Sequence, residues 1–201
     1  PGFTINPLKF VNGITKYAIS KKLKIFEHSL VNKIHKNNDI YILRTKEGSV
    51  STKKIVVATN GFYQEGLIPQ MNSRILPVIS NIIVTRKLTN NEIDIHNFKT
   101  FSPIANTKNL LYYYRKLPDN RILFGTRGDF IGSDQSNLDR SKIMERFLKN
   151  IFPGWSNVSI DYNWRGLIAM SQKLTPSIGK IENEEIYYGF GYHGVGVSSA
   201  P

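Results

Sequence analysis

The chain has 201 residues, 40% of them hydrophobic and 21% charged, enough for one sizeable core and a small second one. With no Cys, a disulfide scaffold, Cys-ligated zinc, an iron–sulfur cluster and a thiol nucleophile are excluded. No apolar run approaches the roughly 20 residues of a membrane helix, and no signal peptide opens the sequence. The net charge of +12 suggests phosphate binding at first, but the bases are scattered. The densest patches, Lys21–Lys22–Lys24 and Lys53–Lys54, are short, so a generally basic, solvated surface is the favoured reading and a nucleic-acid-binding domain the weaker one.

In chain order, Pro7 to Ser20 reads as a helix with Leu8, Val11, Ile14 and Ala18 at helical spacing. Leu23 to Phe26 reads as a short apolar strand. Leu30 to His35 and Ile40 to Thr45 form a hairpin around Asn37–Asn38–Asp39, and Glu47–Gly48 turns the chain into Ser49 to Thr52. Ile55 to Ala58 is continuously apolar, the pattern of a parallel strand buried on both faces, and Thr59–Asn60–Gly61 closes it. Composition shifts between Pro69 and Pro77.

Val78 to Thr85, Leu110 to Arg115, Arg121 to Gly125 and Asn157 to Ala169 read as strands of one antiparallel sheet, with a hairpin around Pro118–Asp119–Asn120. One helix, Ser136 to Ile151, interrupts them, with Met144, Phe147, Leu148 and Ile151 on one face and Pro153–Gly154 ending it. The fold class is therefore α+β with an α/β part. In the aromatic strand, alternation puts Tyr113 and Arg115 on one face and Tyr112 and Tyr114 on the other.

Near the end, Gly189, Gly191 and Gly194 spell GxGxxG between a predicted strand and a helix start at Gly196. The dinucleotide fingerprint also needs a second strand and an acidic residue, which this sequence does not supply. Glycines there let backbone N–H groups approach a ligand closely. His193, inside the loop, is a candidate proton donor; the four histidines are too dispersed for a metal motif. Starting at Pro1 and stopping at Pro201 just inside the expected helix, the chain reads as a fragment.

Taken together, Asn6–Pro7–Leu8, LKIFEHSLV (23–31), IVVATNG (55–61), RILPVISNIIVT (74–85), Tyr113–Tyr114–Arg115 with NRILFG (120–125), Trp164–Arg165–Gly166, TPSIG (175–179) and GYHGVGV (191–197) resemble, in order, the flavin-dependent amine and amino-acid oxidoreductase family that includes glycine oxidase, sarcosine oxidase and γ-glutamylputrescine oxidase. The resemblance implies FAD as cofactor. It divides the chain into part of an FAD-binding layered domain (1–70), an antiparallel-sheet substrate domain with helices on one side (71–170) and a return to the FAD-binding domain (171–201). Val31, Ala58, Thr59, Asn60, Gly61, Gly191, Tyr192, Gly194, Val195, Gly196 and Val197 become candidate flavin contacts, and Tyr113, Arg115 and His193 candidate catalytic residues.

The family's amino-terminal strand–GxGxxG–helix has no counterpart in this sequence. The carboxylate-binding Arg that amino-acid oxidases carry two residues after W-x-G is also missing, since Leu167, Ile168 and Ala169 follow Gly166. That tilts the expected substrate toward a small-molecule primary or secondary amine, oxidised to an imine by hydride transfer. A cytoplasmic location without a membrane span is expected, with no metal and no nucleic acid. The alternative is a non-catalytic, FAD-less remnant that binds a small ligand.

Overall fold

The computed structural model describes residues 4–107, 111–129 and 132–199. The chain divides into two compact units, Pro77–Ile168 and Ile5–Leu76 with Ala169–Pro201.

The first unit is built on a five-stranded sheet. In spatial order its strands are β6 (Ile104–Ala105), β7 (Tyr112–Lys116), β8 (Ile122–Asp129), β5 (Leu76–Thr85) and β9 (Ile160–Met170). The β6–β7, β7–β8 and β8–β5 pairs are antiparallel, and the expected β7–β8 hairpin is present, with Tyr114 opposite Phe124. Leu110, the expected first residue of β7, lies outside the described residues.

Helix α3 (Asp134–Ile151), capped by the Ser133 hydroxyl accepting from the Ser136 N–H, buries Met144 and Leu148 against one sheet face. There they join Ile83, Ile122, Phe124, Phe152 and Trp155, while Phe147 and Ile151 stay more exposed. Tyr112 and Tyr114 stack on the two sides of Phe124, at 5.5 and 5.9 Å between ring centres.

A six-residue helix, α2 (Asn90–Ile95), was not foreseen from the sequence. It is held by a capping box: Thr89 Oγ1 accepts from the Glu92 N–H, and the Glu92 carboxylate accepts from the Thr89 N–H. Glu92 also takes a two-pronged ion pair from Arg86, and its backbone carbonyl accepts the Trp155 indole N–H at 2.7 Å.

The second unit holds two three-stranded sheets. The first joins β1 (Lys33–Asn37), β2 (Ile40–Arg44) and β3 (Ser49–Thr52), with Asn38 at φ 51° in the tight turn. In the other, β11 (Ile186–Phe190) lies between β10 (Ser177–Lys180), to which it is antiparallel, and β4 (Ile55–Val57), to which it is parallel. Tyr41 ties the sheets together, its hydroxyl donating to the Glu184 carboxylate and accepting the Glu185 N–H at 2.9 Å. Their shared core is Tyr41, Ile55, Val57, Ile68, Met71, Ile181, Ile186 and Phe190.

Two expectations need correction here. Residues 23–26 form no strand, and Leu23, Ile25 and Phe26 are exposed, so they do not share a sheet with β4. An apolar run becomes a strand only where a neighbouring backbone pairs with it, and none of the described strands does so here. Strand β4 is an edge strand buried on one face: Ile55 and Val57 enter the core, whereas alternation turns Val56 outward at 74% exposure. Helix α1 (Pro7–Ser20) has the expected bounds, with Asn6 as its cap, but buries no residue.

Ion pairing and capping hold the Glu92 carboxyl well below the usual carboxylate range, at about 2, with the Arg86 hydrogen bonds the largest cause. A depressed folded pKa adds stability that is fully present above the unfolded value and lost as pH falls toward the folded one. Glu92→Gln is expected to destabilise the chain by about 1–2 kcal/mol at neutral pH, after discounting for solvent screening. In chemical unfolding measured from pH 7 to pH 2, that difference should shrink between about pH 4.5 and pH 2. Trp155→Phe, which removes the donor to the Glu92 carbonyl and leaves a void, should cost about 2–3 kcal/mol in the same assay.

Candidate functional site

Two clusters carry the candidate chemistry, one in each unit. In the second unit, parallel pairing sets Ile55 against Ile186 and Val57 against Tyr188, so β4 and β11 deliver the segments that follow them to the same end of the sheet. Ligands of α/β sheets bind at such carboxyl ends. After β4 the chain makes a 3-10 turn at Asn60–Phe62, with Asn60 at φ 48° and Gly61 buried. The Asn60 side-chain oxygen accepts the Gly191 N–H at 3.1 Å, a link across 131 positions. Gly191, buried at φ 76°, sits where any other residue is strained and crowded: a Cβ there would stand 3.1 Å from that of Ser171.

The loop then folds back on itself. Val195 N–H donates to the Tyr192 carbonyl at 2.9 Å, so that amide is occupied within the turn. Gly194, at φ 84°, is exposed, as are Val195 and Val197 beyond it and Ala58 and Thr59 on the other loop. The expected helix start is present as α4 (Gly196–Ser199), whose continuation into Ala200 lies outside the described residues. Val31 is half-buried just ahead of β1. Tyr192 packs under the loop, its Cβ 3.2 Å from where one on Gly196 would sit.

His193 occupies a specific place. Its Nε2 lies 3.1 Å from Ser171 Oγ, its Nδ1 lies 3.2 Å from Met170 Sδ, and its backbone N–H donates to the Ala169 carbonyl at 3.2 Å. The ring pins the glycine loop to the end of β9, so positioning is the role this geometry gives it directly.

In the first unit the second cluster lies on the sheet face opposite α3. Tyr113 pairs with Gly125 and Arg115 with Leu123, so both side chains share that face, as alternation requires. Gly125 permits an unusual crossing: the Tyr113 ring lies over it, where a Cβ would stand 2.2 Å from Tyr113 Cζ. The phenol thereby crosses β8 to reach β5, where Tyr113 Oη lies 2.9 Å from Ser80 Oγ. Ser80 Oγ also lies 3.2 Å from the Thr126 carbonyl, which it can donate to, and either hydroxyl can donate to the other.

Two residues of this face escaped the sequence reading, Ser80 and Arg127. Arg127 stands opposite Ser80 in the β5–β8 register, beside a bulge at Ile79/Ser80. Its Nε is buried without a hydrogen-bond partner. No sequence signal marks Ser80; a cation directly after the neutral run ILFGT was the visible hint for Arg127. Among the described residues, no group of three His, Asp or Glu side chains could hold a metal ion, and no helix is long and apolar enough to cross a membrane.

Comparison with known proteins supplies the context. The family model described as FAD dependent oxidoreductase (DAO) matches residues 1–201. The chain is similar to a probable oxidoreductase, OrdL, of Haemophilus influenzae, 33% identical over 96% of this chain and 44% of that protein. It is also similar to the γ-glutamylputrescine oxidoreductase of Escherichia coli, 28% identical over 98% of this chain and 45% of that protein. The chain thus spans a little under half the length of these curated relatives. Among solved structures it resembles an L-proline dehydrogenase from P. horikoshii, with a TM-score of 0.76 at 22% identity over 97% of this chain and 52% of that one. An iminodiacetate oxidase from Chelativorans sp. gives 0.71 at 16% identity, over 96% and 51% respectively, a likeness of fold alone. The chain belongs to the DAO family of FAD-dependent oxidoreductases.

Proposed function

We propose that the protein of which this chain is a part oxidises the C–N bond of a small primary or secondary amine, of the γ-glutamylputrescine or N-alkylated kind, using FAD. The observation that carries this reading is the meeting of the Thr59–Gly61 and Gly191–Val197 segments at the carboxyl end of the β4–β11 pair, joined by the Asn60–Gly191 hydrogen bond. The residues present fit the ring end of a flavin. Gly191 and Gly194 adopt positive φ, and around them lies an exposed rim of small or apolar residues, Ala58, Thr59, Val195 and Val197.

Bound there, FAD would supply hydride acceptance from the carbon beside the amine nitrogen, leaving an imine that water hydrolyses. The chain's own work is placement. Asn60 anchors the glycine loop at Gly191 and His193 anchors it two residues on, and Gly194 admits a flat ring that a branched side chain would exclude. Ser80 holds the Tyr113 hydroxyl at 2.9 Å, and when Tyr113 donates to Ser80 its oxygen can accept from an N–H donor, the complement of an amine. The family resemblance puts the carboxylate-binding Arg of amino-acid oxidases two residues after W-x-G, where this chain has Leu167, Ile168 and Ala169 and so no charge for a carboxylate on the reacting carbon.

The test uses the full-length protein. Purified protein should show flavin absorbance that bleaches anaerobically with an amine substrate; a flavin-free protein that binds the amine without turnover would instead favour the remnant reading. Gly194→Val, which forces a β-branched residue into positive φ, should lower flavin occupancy or shift its reduction potential. Unchanged occupancy, potential and turnover would reduce the loop to a plain turn. Tyr113→Phe should retain flavin and lower kcat/KM by about tenfold, the scale of one lost polar contact to the reacting group.

A further inference from the structure

In proteins, helices draw most of their stability from packing a face against other elements, and an isolated helix of about 12–15 residues is marginal in water. Helix α1 has 14 residues, among them Gly13 and the β-branched Val11, Ile14, Thr15 and Ile19, all weak helix formers. Asn6 and Pro7 set where it starts, but α1 buries none of its side chains.

Its apolar residues are not confined to a narrow stripe. At helical spacing Tyr17 and Ile19 bound an arc of about 200° around the axis, and Phe10, Ile14, Val11 and Leu8 fill it. All six are exposed, Leu8 at 69% and Tyr17 at 66%. Thr15 and Ala18, inside the same arc, are only half-buried. The remaining side is polar, with Lys9, Asn12, Lys16 and Ser20. Beyond the helix, Phe26 and Leu30 stay as open, at 67% and 70%. Proteins rarely leave this much large apolar surface in water unless another surface sits on it.

The width of the arc and the length of the relatives point to the occupant. A partner helix or a flat lipid boundary meets a helix from one side and takes a stripe of about 100° or somewhat more. An arc about twice as wide calls for contact from two sides, as in a folded layer. The two relatives that match 96% and 98% of this chain are spanned by it over only 44% and 45% of their own length, so more than half of each is polypeptide outside the match.

We propose that the wide apolar face of α1 is an intramolecular seat, packed in the full-length protein by polypeptide outside these 201 residues. Helix α1 belongs to the same compact unit as the Asn60 turn and the glycine loop, so the seat joins the rest of the protein to the unit that carries the candidate flavin contacts. The proposal stands on burial and length and does not depend on the amine-oxidation reading.

Hydroxyl-radical footprinting of the unmodified full-length protein tests it without any variant. Phe10, Tyr17 and Phe26 should be oxidised about tenfold more slowly in the folded protein than in urea, because packing closes side chains that these residues alone leave in water. Oxidation of all three at the unfolded rate would overturn the seat. Replacing Phe10 with the photo-cross-linking residue p-benzoylphenylalanine then identifies the neighbour by mass spectrometry. The expected cross-links run, at monomer mass, to peptides outside these 201 residues. Cross-links at dimer mass would assign the face to a second copy, and cross-links confined to these 201 residues would assign it to the chain itself; either overturns the proposal. So would protection that arises only on adding vesicles of phosphatidylcholine and phosphatidylglycerol, which would make the face a lipid contact.

Discussion

Three residues of parallel strand, Ile55 to Val57, paired with Ile186 to Tyr188, set the geometry on which the second unit depends. The two segments are some 130 positions apart, so their pairing carries a large loop-closure cost. Burial offsets it: Ile55, Val57, Ile186 and Phe190 converge with Tyr41, Ile68, Met71 and Ile181 in one core. Parallel direction then has a consequence that antiparallel pairing would not. Both strands release their chains at the same end, and one hydrogen bond, from the Gly191 N–H to the Asn60 side chain, is enough to hold the two loops in register. Positive φ at Asn60, Gly191, His193 and Gly194 shows how sharply the chain must turn there.

In the first unit the corresponding device is an omission. Gly125 lacks the side chain that would block Tyr113, and so a phenol from β7 reaches a hydroxyl on β5 across an intervening strand. The two faces of this sheet are divided by alternation. Tyr112 and Tyr114 stack on Phe124 and stabilise the core with α3, while Tyr113, Ser80 and Arg127 collect polar groups on the other side. A strand that reads YYYRK thus serves packing and chemistry with alternate residues.

What the sequence made legible follows the range of the forces involved. Helix α1 is marked by Asn6 and Pro7 at its start, and α3 by its apolar spacing, because capping and helical periodicity are local. The β7–β8 hairpin is written in Pro118–Asp119–Asn120. Helix α2 was missed although Thr89 and Glu92 spell its capping box, since six residues with only Ile93 and Ile95 apolar show no helical period. Strand β10 was read only as a motif, because its backbone is made extended by β11 rather than by its own Ser–Ile–Gly–Lys. Residues 23–26 failed in the opposite sense, an apolar run with no described strand to pair with. For the site, the glycine loop and Tyr113 were visible as residue types, but the burial of Arg127 Nε without a hydrogen-bond partner exists only in three dimensions.

The central claim is that the Asn60 turn and the Gly191–Val197 loop form one flavin-contacting rim. Amide hydrogen exchange on the full-length protein, compared with and without FAD, tests it most directly, because bound ligand slows exchange where it covers or rigidifies backbone N–H groups. The account predicts that FAD protects the peptides spanning residues 58–62 and 191–197 together, and that Asn60→Ala diminishes the protection of both. Protection confined to other segments, with these two exchanging at the same rate in either state, would contradict it.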